Sequence, residues 1–544
     1  MVGSSLLVGA VADLKSAKPA DLTGAVQSCS KVRQSWGWLN DPLLAGLEVT
    51  PVVGGDLHAV RTLVRAGAQI CAPASALLSG FDAQNPVESM RALGASRLRY
   101  LGLETLKQIR KANTVVNALD SEQLHFGLGP KVTRLQSVLS EVNQLEPQLK
   151  SMVSVGSAVL ASKPGSQWLV ATQNLAEARG TGGILGSYAV VSLTKSGVKL
   201  VEAGSDQTLA KYGPVDYRSL PVDTSLIWGV EPKLWQDLNP SMHAPYTGQQ
   251  IYDSWLGFKH QKLAGVIFIG QGWAQNLVGL VGPVVVDGIA LDASNTADFL
   301  AKGIYAKYSE VAKKNDFVKQ LMKTLGAQLA AGKFDLTGFT NAVQANQTGD
   351  KLFAWSTSHQ AQKALIADSA AGYVDGRLGN RVWIGVNNGG GNKIDAYISA
   401  SIDYRVEVPT AVRKRTSVSN LAITLTNKAP KTGLPAYVNG RLDLAAGTKY
   451  KPGSNIDLVS VYLPIGANLS GFLVNNQPFS VHDDVDRGRE LVSFRIELDP
   501  GESKRLWLAW NLEGKYALDS RPLVTTNSSF NRVKVFSLLR KSNR

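Results

Sequence analysis

The chain has 544 residues, 44% of them hydrophobic, and carries a formal net charge of +14. That length exceeds what one hydrophobic core organises, so about three domains are expected of a soluble, globular chain. The positive balance points to anionic partners such as lipid headgroups or phosphorylated glycans. Nucleic acid is set aside, because the sequence has no basic helix, zinc-finger spacing or aromatic ribonucleoprotein motif, and Lys and Arg are dispersed.

No transmembrane helix is legible. The longest N-terminal apolar run, Leu6–Ala12, is far short of the roughly 20 residues a span requires, and it lacks the charged start and cleavage site of a signal peptide. From Ser4 to about Lys163 the pattern is helical: Val60, Leu63, Val64 and Ala68 follow the spacing of a buried face, as do Val132, Leu135, Val138 and Leu139. Cys29 and Cys71 each lie 21 residues from Thr50, which precedes Pro51. In an antiparallel helical hairpin bent there, the two thiols would face each other, either as a disulfide or as two core cysteines. None of the six histidines lies near a cysteine at metal-ligand spacing.

From Gln167 to about Ala396 strands and helices mix, which argues for an α/β layer architecture. The apolar run Trp168–Ala171 leads to Gln173-Asn174-Leu175-Ala176-Glu177-Ala178-Arg179-Gly180-Thr181-Gly182-Gly183, and alternation resumes at Tyr188–Leu193. A polar, glycine-rich crossing between two strands is expected there. It is read either as a ligand loop or as a turn in which Glu177 and Arg179 pair with each other. Ala264–Ile269 reads as a short buried strand, Trp273–Val281 as a helix, and Thr296–Ala331 as a long helical stretch broken near Asn315, with Lys313 and Lys314 on its wet side. Asn387-Asn388-Gly389-Gly390-Gly391-Asn392-Lys393 reads as an exposed turn, and Asn387, Asn388 and Lys393 form a second candidate site for sugar hydroxyls or phosphate oxygens. Past Ala396 the period changes to two. Short strands punctuated by Pro and Gly continue through Lys504–Trp510, the rhythm of an antiparallel sandwich.

The resulting fold class is α+β and multidomain: a helical stalk or bundle over residues 1–165, an α/β domain over 166–396 and a β-sandwich over 397–544. No nucleophile elbow, P-loop or dinucleotide fingerprint stands in a suitable context.

The segments Pro51-Val52-Val53-Gly54-Gly55-Asp56-Leu57, Gln173–Gly183, Gly279-Leu280-Val281-Gly282-Pro283-Val284 and Ala429-Pro430-Lys431-Thr432-Gly433-Leu434-Pro435 resemble the signature of domain of unknown function 4012. That is a bacterial family of extracytoplasmic proteins, common in actinobacteria. The resemblance implies an extracytoplasmic, membrane-anchored envelope protein whose anchor lies upstream of this chain. The middle third is also distantly similar to the LytR-CpsA-Psr phosphotransferases, which attach glycopolymers from polyprenyl-pyrophosphate carriers to the cell wall. Where those enzymes carry aspartates this chain has Asn174 and Ser187, and Ser205 replaces the arginine before Asp206.

This similarity implies a glycan or polyprenyl-phosphate-linked glycan as partner. Arg179 would clamp a phosphate, Asp206 would bind a metal such as Mg²⁺ or orient an acceptor hydroxyl, and Glu177 would complete the catalytic set. Gln173, Asn174 and Arg218 would add ligand contacts. The alternatives are a non-catalytic envelope scaffold or binding protein, and a glycoside hydrolase drawing its acid and base from Glu177, Glu202, Asp206, Asp216 and Asp223.

Overall fold

The computed structural model describes residues 22–50, 53–82, 85–194, 197–215, 233–332, 334–346, 352–409, 416–479, 481–516, 521–526 and 532–542. Its N-terminal third is built from long helices: α1 (Leu22–Leu39), α2 (Val53–Leu78), α3 (Ala95–Asn117), α4 (Leu128–Gln144) and α5 (Glu146–Ala161). Leu63, Val132, Leu135 and Leu139, all on the faces expected to be buried, share one core with Val116 and the two cysteines. Cys29 and Cys71 are joined in a disulfide that ties α1 to α2, with their Cα atoms 5.1 Å apart. Among the described residues no helix is long and apolar enough to cross a membrane.

The bundle is fastened to the rest of the chain by charge as well as packing. Arg99 on α3 donates two hydrogen bonds of 2.5 Å to the Asp368 carboxylate, and the Ser154 hydroxyl on α5 donates a third at 2.7 Å. A bidentate guanidinium–carboxylate contact of this kind fixes orientation as well as distance.

The central sheet has the order β3-β2-β1-β4-β7, from β1 (Gln167–Arg179), β2 (Gly182–Leu193), β3 (Val198–Ser205), β4 (Gly265–Gly270) and β7 (Phe353–Ser356). β1 pairs antiparallel with β2 and parallel with β4. Alternation gives the sheet two apolar faces. Leu169, Ala171, Tyr188, Val190, Val266 and Phe268 pack with Ile251 and Trp255 of α7 (Ala244–Lys259). Between β3 and α7 lies the short α6 (Asp206–Ala210). On the opposite face Val170, Ala189, Val191, Ile267 and Ile269 line a large cavity, together with residues of α5, α8 (Gln271–Val281) and α9 (Val311–Ala330). The helical stretch after Thr296 breaks at Tyr308–Glu310, where the backbone is extended, and Asn315 lies inside α9 instead.

A sandwich of two sheets completes the molecule. One has the order β13-β12-β16-β10-β9-β18 and the other β14-β15-β11-β8-β17. In the first are β9 (Ile398–Pro409), β10 (Thr416–Asn427), β12 (Asn468–Val474), β13 (Gln477–Pro478), β16 (Ser503–Glu513) and β18 (Arg532–Ser542). In the second are β8 (Arg381–Asn388), β11 (Asn455–Tyr462), β14 (His482–Asp486), β15 (Arg489–Leu498) and β17 (Leu523–Thr526). Two features depart from the sequence reading. β17 and β18 pair parallel with β8 and β9, because the chain ends by crossing between the sheets rather than turning back in a hairpin. The strand Arg381–Asn388, assigned above to the central unit, belongs to the sandwich through its pairing with β11. Ala176 and Ala178 of β1 also share a core with Ile384, Val386 and Val459, so the apolar interior runs without interruption from central sheet to sandwich.

Candidate functional site

The signature segment is strand, not loop. β1 runs through Arg179 and β2 restarts at Gly182, leaving Gly180-Thr181 as the turn. The register slips between Thr172 and Asn174 and again between Asn174 and Ala178, so Leu175–Glu177 bulge out of the ladder. The glycines serve packing. A Cβ at Gly180 would lie 2.1 Å from the Pro240 carbonyl oxygen, and one at Gly183 would lie 2.1 Å from the Asn174 carbonyl oxygen.

The bulge carries Glu177 inward, where it meets two cations. Arg179 donates from one terminal nitrogen to Glu177 Oε1 at 2.7 Å and to Asp237 Oδ1 at 2.6 Å, and Lys393 Nζ pairs with Glu177 Oε2. Burial alone would raise the Glu177 pKa, but Arg179 and Lys393 outweigh it and hold the carboxyl below its ordinary value. Burial would likewise weaken the Arg179 charge, and Glu177 and Asp237 outweigh it. Of the two readings offered by the sequence, the internal pair is the one the fold builds. Arg179 and Glu177 do not border the cavity, and their side chains are 11% and 5% exposed.

The asparagine-rich segment departs from its expected exposure in the same way. Asn387, Asn388, Asn392 and Lys393 are buried where the chain crosses from one sheet of the sandwich to the other. Asn387 accepts the Gly180 N–H at 3.0 Å and donates to the Pro240 carbonyl at 3.0 Å, locking the hairpin turn. Asn388 donates toward Asn392, Asp395 and Asn455 and accepts the Gly391 N–H at 2.7 Å. A connection without side-chain acceptors would leave these backbone groups unsatisfied, so asparagine here completes the joint.

The remaining expected residues converge on the cavity. Its volume is about 1540 Å³, and Gln173, Asn174, Ser187, Asp206 and Lys393 all border it. Gln173 donates to Thr181 at 2.5 Å, and Asn174 donates to the Tyr305 hydroxyl at 2.9 Å. Asp206 opens α6, and burial pushes its carboxyl above the usual range. Glu202 is committed to Tyr188 at 2.7 Å and Lys259 at 2.8 Å. Arg218, Asp216 and Asp223 lie outside the described residues. Among the described residues no three metal-binding side chains converge.

One cavity residue was assigned to solvent by the sequence. Lys314, in the first turns of α9, turns inward over the rings of Tyr305 and Tyr437, at 5.2 and 5.4 Å from their centroids. In the sequence it is one of several lysines on a charged helix, with no signal to set it apart from Lys313. Lys313 points outward and pairs with Glu310 at 2.6 Å.

Residues 165–305 match the model of a protein family of unknown function, DUF4012. This segment therefore carries the signature of an uncharacterised family. No curated protein matches the chain. Among solved structures, an M1 zinc metallopeptidase from Deinococcus radiodurans aligns at 15% identity over 23% of this chain and 22% of its own, with a TM-score of 0.13. A two-domain M1 zinc metallopeptidase mutant bound to L-arginine aligns with the same values. The chain thus spans less than a quarter of the length of these structures, and superpositions of that quality carry no argument about fold or chemistry.

Proposed function

We propose that this protein is an extracytoplasmic cell-envelope component that binds a lipid-linked glycan, holding the lipid tail in the central cavity. The similarity to LytR-CpsA-Psr proteins leads to the same expectation, and the cavity is the observation that carries it. A volume of about 1540 Å³ exceeds the roughly 300–1,000 Å³ of a pocket for a compact small molecule. Its walls are mainly aliphatic side chains from the sheet, α5 and α9, and its polar residues include Asn174, Asp206, Lys314 and Lys393. An apolar cavity with charged and polar groups clustered on part of its wall suits a long hydrocarbon chain with an anionic head. The disulfide supports a location outside the reducing cytoplasm.

The reading is one of binding rather than turnover. The buried network of Glu177, Arg179, Asp237 and Lys393 gives the expected phosphate clamp an internal role, which favours a non-catalytic carrier or scaffold over a transferase.

Cavity-filling variants test the proposal. Gly156 and Gly186 border the cavity, and a Cβ added at either meets nothing within 4 Å. Gly156→Phe and Gly186→Phe should fold normally and retain far less polyprenyl phosphate from detergent solution than the wild type, as counted by mass spectrometry of extracted lipid. Equal retention by all three proteins would sink the proposal.

A further inference from the structure

We infer that the polar end of the cavity is a receptor for the phosphate of a lipid phosphate, with Lys314 as its charge partner and the Tyr305 hydroxyl as a hydrogen-bond donor. The inference rests on the lipid reading for the tail and adds the chemistry and position of the head.

The geometry leaves one cation short of an anion. The Lys393 and Lys314 ammonium groups stand 5.3 and 5.4 Å from the centroid of the same Tyr437 ring. Lys393 is neutralised by Glu177. Lys314 has no carboxylate within ion-pair distance among the described residues, and its contacts are the faces of Tyr305 and Tyr437. The Tyr305 hydroxyl accepts from Asn174 at 2.9 Å, and its own proton has no acceptor among the described residues. Asn174, Tyr305, Lys314, Lys393 and Tyr437 border the cavity.

A half-buried, unpaired ammonium beside a second cation is costly, and an anion placed against it relieves both desolvation and repulsion. Burial, followed by repulsion from Lys393, pulls the Lys314 pKa down to about 8, while Asp206 and Glu177 act against the shift. Tyr305 is itself raised well above its ordinary value by burial, so it stays protonated and able to donate. Asp206 borders the same cavity, and there it can accept from a hydroxyl neighbouring the phosphate. Because the groups facing Lys314 are Lys393, Asp206, Glu177, Tyr305 and Tyr437, its charge is the one that changes near physiological pH. It is charged below about pH 8 and neutral above, so phosphate affinity is fullest below that value and falls as pH rises through it.

Calorimetry on the full chain with dodecyl phosphate, dodecanol and inorganic phosphate separates the possibilities. The wild type should bind dodecyl phosphate more tightly than dodecanol at neutral pH, with the preference shrinking above pH of about 8. Lys314→Met should lower dodecyl phosphate affinity about 10-fold, the size of one lost charged hydrogen bond, leave dodecanol unchanged and abolish the pH dependence. Tyr305→Phe, which keeps the ring, should cost a smaller factor in the same direction. Equal affinity for the two alkyl probes, with both variants silent, would overturn the phosphate receptor and leave the tail in its cavity. Inorganic phosphate binding as tightly as dodecyl phosphate would also overturn it, by placing a free anion there. Failure of both alkyl probes to bind would remove the lipid reading and this inference together.

Discussion

At the scale of single residues, Glu177 decides how the signature segment is understood. A carboxylate with 5% of its side chain exposed, held between Arg179 and Lys393, is a structural charge whose partners cannot be removed cheaply. Arg179→Ala should destabilise the protein by about 3 kcal/mol in urea denaturation, because it strips one partner from a buried anion. A ligand clamp would behave oppositely, losing affinity while stability stayed fixed. The pH dependence has a definite sign. The folded Glu177 carboxyl titrates below its ordinary value of 4.5, so its stabilising contribution is present above that value and is lost as pH falls through the lowered one. Glu177→Gln should flatten that acid limb of the stability curve.

At the scale of elements, the helical hairpin and the β1–β2 hairpin show how much of each was readable. The spacing of Leu63, Val132, Leu135 and Leu139 marked the buried stripes of their helices, and those residues are in the bundle core. The two cysteines, equidistant from the bend, are bonded across α1 and α2. Their bond closes a loop with a sequence separation of 42, and reducing it should lower the unfolding free energy by about 2–4 kcal/mol. Urea midpoints measured with and without reductant check this, and the Cys29→Ser, Cys71→Ser double variant should show no reductant effect. The β1–β2 hairpin was less legible. Glycines and charges in a row read as a crossing loop, because a bulge that turns Glu177 inward leaves no periodic trace in sequence.

Across the whole molecule, the joint between central sheet and sandwich is a buried pair of acids. Asp395 accepts the Ala178 N–H of β1 at 2.5 Å, and the Asn455 side-chain amide donates to both Asp395 and Asp457 of β11. Burial and the neighbouring Asp395 charge push Asp457 well above its ordinary value, and the two carboxyls titrate as a pair. A raised acid gives its full stabilisation below the unfolded value of 3.8 and loses it as pH rises through the folded one. Stability should therefore decline as pH rises from the unfolded value through the folded one, and level off beyond it. Asp457→Asn, which keeps a donor without the charge, should remove the decline in denaturation curves taken across pH. An unchanged slope in the variant would show that the pair does not govern the joint.

Local periodicity by itself determined the helical N-terminal third, the mixed centre and the strand-rich C-terminal third, because helix and strand faces repeat at fixed spacings that survive without tertiary information. The polar, glycine-rich composition of two segments singled out Gln173, Asn174 and Lys393, the family resemblance added Asp206, and these border the cavity. Only the tertiary structure decided their roles. Whether Arg179 meets a ligand or Glu177, whether Asn387 faces water or a hairpin turn, and whether Lys314 points outward or over Tyr305 depend on contacts between residues far apart in the chain. A charge pattern on one segment specifies the charge it carries and leaves open what will stand opposite it, since that partner arrives from another element when the core closes.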